Sequence, residues 1–290
     1  MGCCEMLYLC KIVKVQMSKK KVGVVCGGFS SEYEISIQSG KTVFSNLDRN
    51  LWETYLITID SSDWTAIDDH NNKYIVSKGD FTLNDGQKNL ELDVIFNAVH
   101  GAPGENGQLA ALWELLEIPF SSTDSYNAAL TFNKRDCLSV LRAWNVPTAK
   151  YFELNQGDPI DLEKIQKTVG LPCFVKANRA GSSFGVYKVN SANELEGSIK
   201  EAFKEDHQLL IETALEGREV SVGVAKFNDT IEVFPITEII SENDFFDYAA
   251  KYEGKSQEIT PAELPEHWQK AVENWSRLFY KKLGLKGVVR

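Results

Sequence analysis

A chain of 290 residues is long enough for two or three compact units, each burying its own core. Its composition, 43% apolar and 25% charged, is that of an ordinary water-soluble globular protein. The net charge of −10 argues against a nucleic-acid surface built on bulk basicity, but it permits a local anion site made by a few well-placed lysines.

The first segment, MGCCEMLYLCKIVKVQ, carries an apolar stretch too short to span a bilayer, and Glu5 sits where a signal peptide needs positive charge. Gly2 beside Cys3 and Cys4 hints at acylation, although position six is Met rather than Ser or Thr. Met17, followed by SKKK and a clean strand, reads as the natural start, so residues 1–16 are expected to be an appendage. Six cysteines contain no CxxC pair, and Cys26 and Cys173 lie inside apolar strand-like runs. They read as small buried hydrophobes in a reducing, cytoplasmic compartment.

VGVVCGG (Val22 to Gly28) predicts a strand that runs into a helix. Ser31 and Glu34 form a capping box, and Ile35, Ser39, Val43 and Leu47 give helical spacing, with Ser39 its weak member. WETYLITID is the next strand, a polar stretch follows, and LDVIFNAVHG is a nearly continuous apolar run of the kind covered on both faces. Leu109, Leu112, Trp113 and Leu116 mark another helix. This order predicts an α/β unit with a largely parallel sheet, over residues 17–122.

A second unit is expected over 123–215. Leu138, Leu141 and Trp144 mark a helix, then come LPCFV and VYKV as paired strands, a polar helix from Ala192 to Glu205, and the strand QLLIETAL. The third unit, 216–290, opens with Val220, Val222 and Val224 alternating as one strand. IEVFPITEII adds another, demoted to an edge or a bulge by Pro235. Trp268, Val272, Trp275 and Phe279 line a long helix that stops at Gly284, before the closing KGVVR.

Three clusters could carry chemistry, although neither GxxxxGK[ST] nor GxGxxG is present. KANRAGSSFG joins two strands: it is either an ordinary hairpin turn or a nest of backbone N–H groups for an anion beside Lys176. Lys134 and Lys251 are further phosphate-binding candidates, or solvated surface lysines. HGAPGENG follows a buried strand where open α/β sheets bind ligands, so His100 is either an oxyanion donor or a satisfied loop histidine. Glu212 and Glu219 in LLIETALEGREV could accept from an adenine amino group and ribose hydroxyls, or could be exposed turn carboxylates.

In combination, GGFSSEYEIS, HGAPGENG, NKRD, FVKANRAGSSFGV, LLIETALEGREV, FDYAAKYEG and KGVVR occur in the order seen in D-alanine–D-alanine ligases of the ATP-grasp superfamily, which the chain resembles from Lys21 to Arg290. The resemblance implies an α/β (α+β) fold: an N-terminal Rossmann-like α/β domain, a central α+β domain and an incomplete C-terminal α+β domain. It implies that Glu32 holds the ammonium of the first D-alanine, with Ser182 and Tyr252 as hydrogen-bonding partners. Lys134, Lys176 and Lys251 are expected on the ATP phosphates, under a loop carrying Gly181, Ser183 and Gly185. Glu212, Leu215 and Glu219 are expected to line the adenosine site, and His100 and Arg290 to stabilise charge at the reacting carboxyl and the transferring phosphate.

The implied reaction is attack of one D-alanine carboxylate on the γ-phosphate of ATP, then displacement of phosphate from the acyl phosphate by the amine of a second D-alanine. Lactate-forming relatives have Phe where Tyr252 stands, which favours an amine acceptor. The implied product is a peptidoglycan precursor, made in the cytoplasm without nucleic-acid or membrane partners, by a parent that is a homodimer using Mg2+ or Mn2+. The family's metal ligands lie beyond the position matching Arg290. The sequence therefore predicts no metal ligands in this chain, an incomplete third unit, and little or no activity for the chain by itself. Alternatives from the sequence are a non-catalytic nucleotide-binding fragment and an ATP-grasp ligase for another amino-acid pair.

Overall fold

The computed structural model describes residues 19–241 and 256–290. Residues 1–16, together with Lys251 and Tyr252, lie outside the described residues.

Strand β1 (Lys20–Gly27) is buried from Val22 onward, and it leads into α1 (Tyr33–Asn46) and β2 (Trp52–Ile59). The helix starts one residue later than the Ser31–Glu34 capping box predicts. Glu32 stands at the cap position without a capping side-chain bond, because its carboxylate is engaged elsewhere. Ser31 Oγ instead lies 3.0 Å from both oxygens of Glu205. Buried Ser36 anchors the helix: Gly27 N donates to its Oγ at 2.8 Å, and that hydroxyl donates to Ala98 O at 2.8 Å.

The polar stretch after β2 folds into four short strands, β3 (Trp64–Asp68), β4 (Lys73–Val76), β5 (Leu83–Asn84) and β6 (Asn89–Leu90). Then come β7 (Val94–Asn97) and α2 (Gln108–Leu115). The sheet order is β6-β5-β4-β3-β2-β1-β7. Among the strands of this sheet β1–β2 and β1–β7 pair in parallel, with one further parallel bridge from Ile95 to Phe120; the other strand pairs are antiparallel, so the expected largely parallel sheet is mixed. The reason is local, since connections this short can only reverse the chain. Asp60 and Asp68 build the first two reversals by accepting backbone N–H groups from residues two to four further on.

Two cores flank this sheet. Leu109 and Trp113 of α2 pack on Ile57, Ile59, Ile95 and Phe81, while Ile37, Val43 and Phe44 of α1 cover Val24, Cys26 and Leu56. The strand predicted over Leu92–Gly101 is regular only at β7. Phe96 is more exposed than a strand covered on both faces allows.

The second unit contains α3 (Ser125–Phe132), α4 (Lys134–Ala143), β8 (Tyr151–Asn155), α5 (Leu162–Val169), β9 (Cys173–Ala177), β10 (Val186–Val189), α6 (Ala192–Ala202) and β11 (Gln208–Thr213). Its sheet is antiparallel in the order β10-β9-β11-β8. Alternation sorts its faces: Cys173, Val175, Leu209 and Ile211 pack under α5 and α6, leaving Phe174, Lys176 and Glu212 on the opposite face. Burial pushes the thiols of Cys26 and Cys173 up to about 11, so both behave as inert hydrophobes, and neither forms a disulfide.

The third unit has β12 (Glu219–Ser221), β13 (Val224–Phe227), β14 (Thr230–Val233), β15 (Thr237–Ser241), β16 (Ser256–Ile259) and α7 (Glu266–Leu283). The single strand expected through Val220, Val222 and Val224 is two, broken at Val222–Gly223, and Pro235 separates β14 from β15. Gly284, in the left-handed conformation, closes α7 as expected. Val289 then exchanges backbone bonds with Val224 at 2.7 and 2.8 Å. Lys286 N donates to Thr123 Oγ1 at 3.3 Å, which carries the segment ending at Arg290 to the junction of the first and second units. Among the described residues no helix is long and apolar enough to cross a membrane.

Candidate active site

The site begins where β1 lies between β2 and β7, at the carboxyl ends of these parallel strands. There the chain leaves β1 toward one face and β7 toward the other, which opens a crevice. Two loops line it, residues 28–32 after β1 and residues 98–107 after β7. They are tied together by Phe29 N donating to Ala102 O at 2.8 Å and Ser30 Oγ donating to His100 O at 3.1 Å.

Glu32 is 3% exposed and is reached from a third loop 150 residues away, where Ser182 Oγ donates to its Oε1 at 2.6 Å. Both flanking backbones come close enough that a Cβ on either would press on the carboxylate. A Cβ on Gly181 would stand 2.7 Å from Glu32 Oε1, and one on Gly101 would stand 2.8 Å from Oε2. Ser182 and Ser183 both hold positive φ (49° and 63°), a conformation costly for residues with a Cβ. Loop 181–185 is therefore held closed over the first unit by specific contacts. Gly185 O accepts from Ala177 N at 2.8 Å where the loop rejoins β10.

Beneath this loop lies Lys134, the first residue of α4. Its Nζ donates to Ala180 O at 2.6 Å, Ala177 O at 3.0 Å and Asn178 O at 3.3 Å. Burial, and then the charge of Lys176, pushes its pKa down from 10.5 to about 8 against the pull of Asp206, Glu212 and Glu32. Lys176, from β9, pairs with Glu212 of β11 at 2.8 Å and stacks over Phe174 at 5.3 Å. Two ammonium groups that destabilise one another in a partly desolvated gap make a site for an anion.

His100 sits behind Glu32 with Nε2 2.9 Å from Ser39 Oγ, which explains why Ser39 interrupts the apolar stripe of α1. Glu105 was not singled out by the sequence, yet it is a second acid here, exposed as a residue while its carboxylate reaches back to the loop. It accepts from Gly101 N at 2.7 Å through Oε2, while its own N donates to Gly101 O at 2.8 Å. Its pKa is raised by burial first and by Glu32 as well, and Gly101 N–H, His100 and Arg290 pull the other way. The influence of Arg290 puts that exposed residue in the electrostatic neighbourhood of the crevice.

The remaining sequence candidates are more dispersed. Glu219 is exposed at the start of β12, opposite Ile239. Leu215, 73% exposed, lines a separate cleft of about 380 Å³ with Thr148, Lys150, Gly170 and Thr213. No group of three or more His, Cys, Asp or Glu that could hold a metal ion occurs among the described residues.

This crevice-and-loop arrangement is that of an ATP-grasp fold, and the comparisons agree. The family model described as D-ala D-ala ligase N-terminus matches residues 21–123, and the one described as D-ala D-ala ligase C-terminus matches 140–290. The D-alanine--D-alanine ligase of Christiangramia forsetii is 48% identical over 272 residues, covering 94% of this chain and 83% of that one. Among solved structures, D-alanyl-alanine synthetase A from Vibrio cholerae superposes with a TM-score of 0.81 at 26% identity, over 94% of this chain and 83% of that one. The Bacillus anthracis D-alanine--D-alanine ligase complexed with ATP gives 0.71 at 27% identity, over 93% and 80%. The chain belongs to the D-alanine–D-alanine ligase family.

Proposed function

We propose that this protein binds ATP and D-alanine and joins two D-alanines for peptidoglycan precursor synthesis in the cytoplasm. The observation that carries the reading is the closure of loop 181–185 onto Glu32 directly above Lys134. One loop thereby bonds both a carboxylate suited to an ammonium group, through Ser182, and a cation suited to phosphates, through Ala180 O.

In this reading Glu32 holds the ammonium of the first D-alanine, with Ser182 orienting its carboxylate and excluding water. Glu105 adds negative potential from the far side of Gly101. Lys134 and Lys176 receive the phosphates, and Lys176 exchanges its Glu212 partner for them. Glu212, Leu215 and Glu219 are assigned to the adenosine, and His100 and Arg290 to the charge that develops at the reacting carboxyl and phosphate. Lys251 and Tyr252 keep their family roles by resemblance alone. ATP supplies the phosphoryl group that activates the first carboxylate.

The depressed Lys134 is what fits ATP to this chain, since a polyphosphate restores the stability of its charged form. The family's Mg2+ or Mn2+ is carried by resemblance alone. A second reading is nucleotide binding without turnover, to which the depressed Lys134 is equally suited. The unit boundaries at 122/123 and 215/216 and a homodimeric assembly belong to the proposal; sheet membership supports the boundaries.

Titration calorimetry with ATP, with D-alanine and with both, beside an ADP-release assay over D-alanine, D-lactate, D-serine and L-alanine, tests this. ADP release that requires D-alanine is the expected result. ATP binding without it selects the second reading, and no ATP binding overturns both.

A further inference from the structure

Asn178 is fully buried at the end of β9, yet its amide is saturated. Its Nδ2 donates to Asn133 Oδ1 at 2.9 Å and to Gln208 Oε1 at 3.2 Å, and its Oδ1 accepts from Arg135 N at 2.9 Å. Its backbone is as heavily committed: N donates to Gln208 O at 2.9 Å, and O accepts from both Lys134 N (3.2 Å) and Lys134 Nζ (3.3 Å). One residue thus fastens the start of α4 to β11 and to the root of loop 179–185.

The first N–H groups of a helix lack internal partners and commonly bind phosphate. In α4 they are already taken. Lys134 N is held by Asn178 O, Arg135 N by Asn178 Oδ1, and Asp136 N by Asn133 Oδ1 at 3.1 Å. What this helix end keeps for an anion is the charge of the Lys134 ammonium, whose own bonds to Ala177, Asn178 and Ala180 O would be exchanged on binding, and the clamp that consumes the N–H groups also fixes where that ammonium stands.

We propose that Asn178 is a positioning residue for nucleotide binding, holding the Lys134 ammonium beneath the 181–185 loop through the N-terminus of α4. The inference rests on the ATP-binding reading above. Only an amide supplies two donors and an acceptor in this space: aspartate lacks the donors, and an aliphatic side chain lacks all three. The shifted pKa of Lys134 agrees, because an ammonium held in place away from water must endure its desolvation.

The test is ATP binding by calorimetry on the intact chain, at pH 8.5 in buffers of different ionisation enthalpy, with D-alanine binding in parallel. Loss of a buried hydrogen-bonded anchor in Asn178→Ala should weaken ATP binding about tenfold. It should also diminish the proton uptake that accompanies ATP binding, because a released Lys134 is already protonated, and it should leave D-alanine affinity unchanged. ATP affinity and proton uptake equal to wild type overturn the proposal, and so does equal weakening for ATP and D-alanine, the mark of a merely structural role. If Asn178→Ala does not fold, Asn133→Ala removes the other end of the Nδ2 bond and is read in the same way. Lys134→Met separates the two readings. If it binds ATP as wild type does, the phosphate-site assignment fails; if it loses ATP while Asn178→Ala does not, only the positioning role fails.

Discussion

Ser182 Oγ donates to Glu32 Oε1 at 2.6 Å and so joins two units through a buried carboxylate. A hydrogen bond to a charged group contributes about 1.5–3 kcal/mol. It is offset here by two serines held at positive φ. In Ser182→Ala the loop should open more often. Trypsin cleavage after Arg179 should accelerate about tenfold, with D-alanine affinity falling alongside. Cleavage at the wild-type rate would show that other contacts hold the loop.

Gly181→Ala asks whether the same closure depends on missing atoms. Its methyl would stand 2.7 Å from Glu32 Oε1 and 3.0 Å from Oε2, so the Glu32 carboxylate would have to swing away from the position in which Ser182 holds it. D-alanine binding should weaken by at least about tenfold, in line with an overpacking cost of roughly 1–3 kcal/mol. The melting temperature should hardly move, since the loop and not the core is displaced.

Lys134 gives a prediction in pH. Its folded pKa of about 8 lies below the ordinary 10.5, so between these values the unfolded chain binds more protons than the folded one. Its contribution to the stability of the unliganded protein should therefore rise from pH 8 to pH 10.5 and be constant below that window. Comparison of wild type with Lys134→Met by denaturant melts across that range checks this. The difference between the two should change with pH in the stated sense, and a flat difference would remove the basis for it. The same variant should bind ATP about 10–100-fold more weakly, the range for losing a charge-assisted bond.

Much of this architecture was legible in the chain, because strong local signals and tertiary needs agreed. Gly284 ends α7, Val22–Gly27 forms a strand, and KANRAGSSFG joins two strands as its flanking apolar runs require. The polar meander after β2 was not legible as strands, since its pairing is set by Asx turns and not by apolar alternation. Ser39 shows a subtler limit. At helical spacing it reads as a flaw in an apolar stripe, and only the fold reveals His100 2.9 Å away. Glu105 and Asn178 sat inside quoted motifs, but nothing in their spacing told of the bonds of Glu105 to Gly101 or the burial of Asn178. A polar residue next to functional glycines was the available signal.

Glu105→Gln follows from that second acid. Gln keeps an acceptor for Gly101 N while removing a charge that burial and Glu32 disfavour. A carboxyl whose folded pKa is raised contributes stability that is lost as pH rises through it. The variant should accordingly melt higher than wild type at pH 7–8, and the two should converge below the ordinary value near 4.5. Equal melting at neutral pH would show that Arg290 and His100 already neutralise Glu105.

Gly101 and Gly181 give the Glu32 pocket a mutational landscape that runs in one direction. Neither position has a side chain to trim, so every change at these two positions can only add atoms against the carboxylate. If Glu32 holds an amino-acid ammonium as proposed, room for a bulkier amino acid would have to come from elsewhere, by moving a loop or by trimming a side chain such as Ser182. Resistance to broadened specificity is therefore inherited from the path of the backbone, beyond the reach of any single side-chain exchange at either glycine.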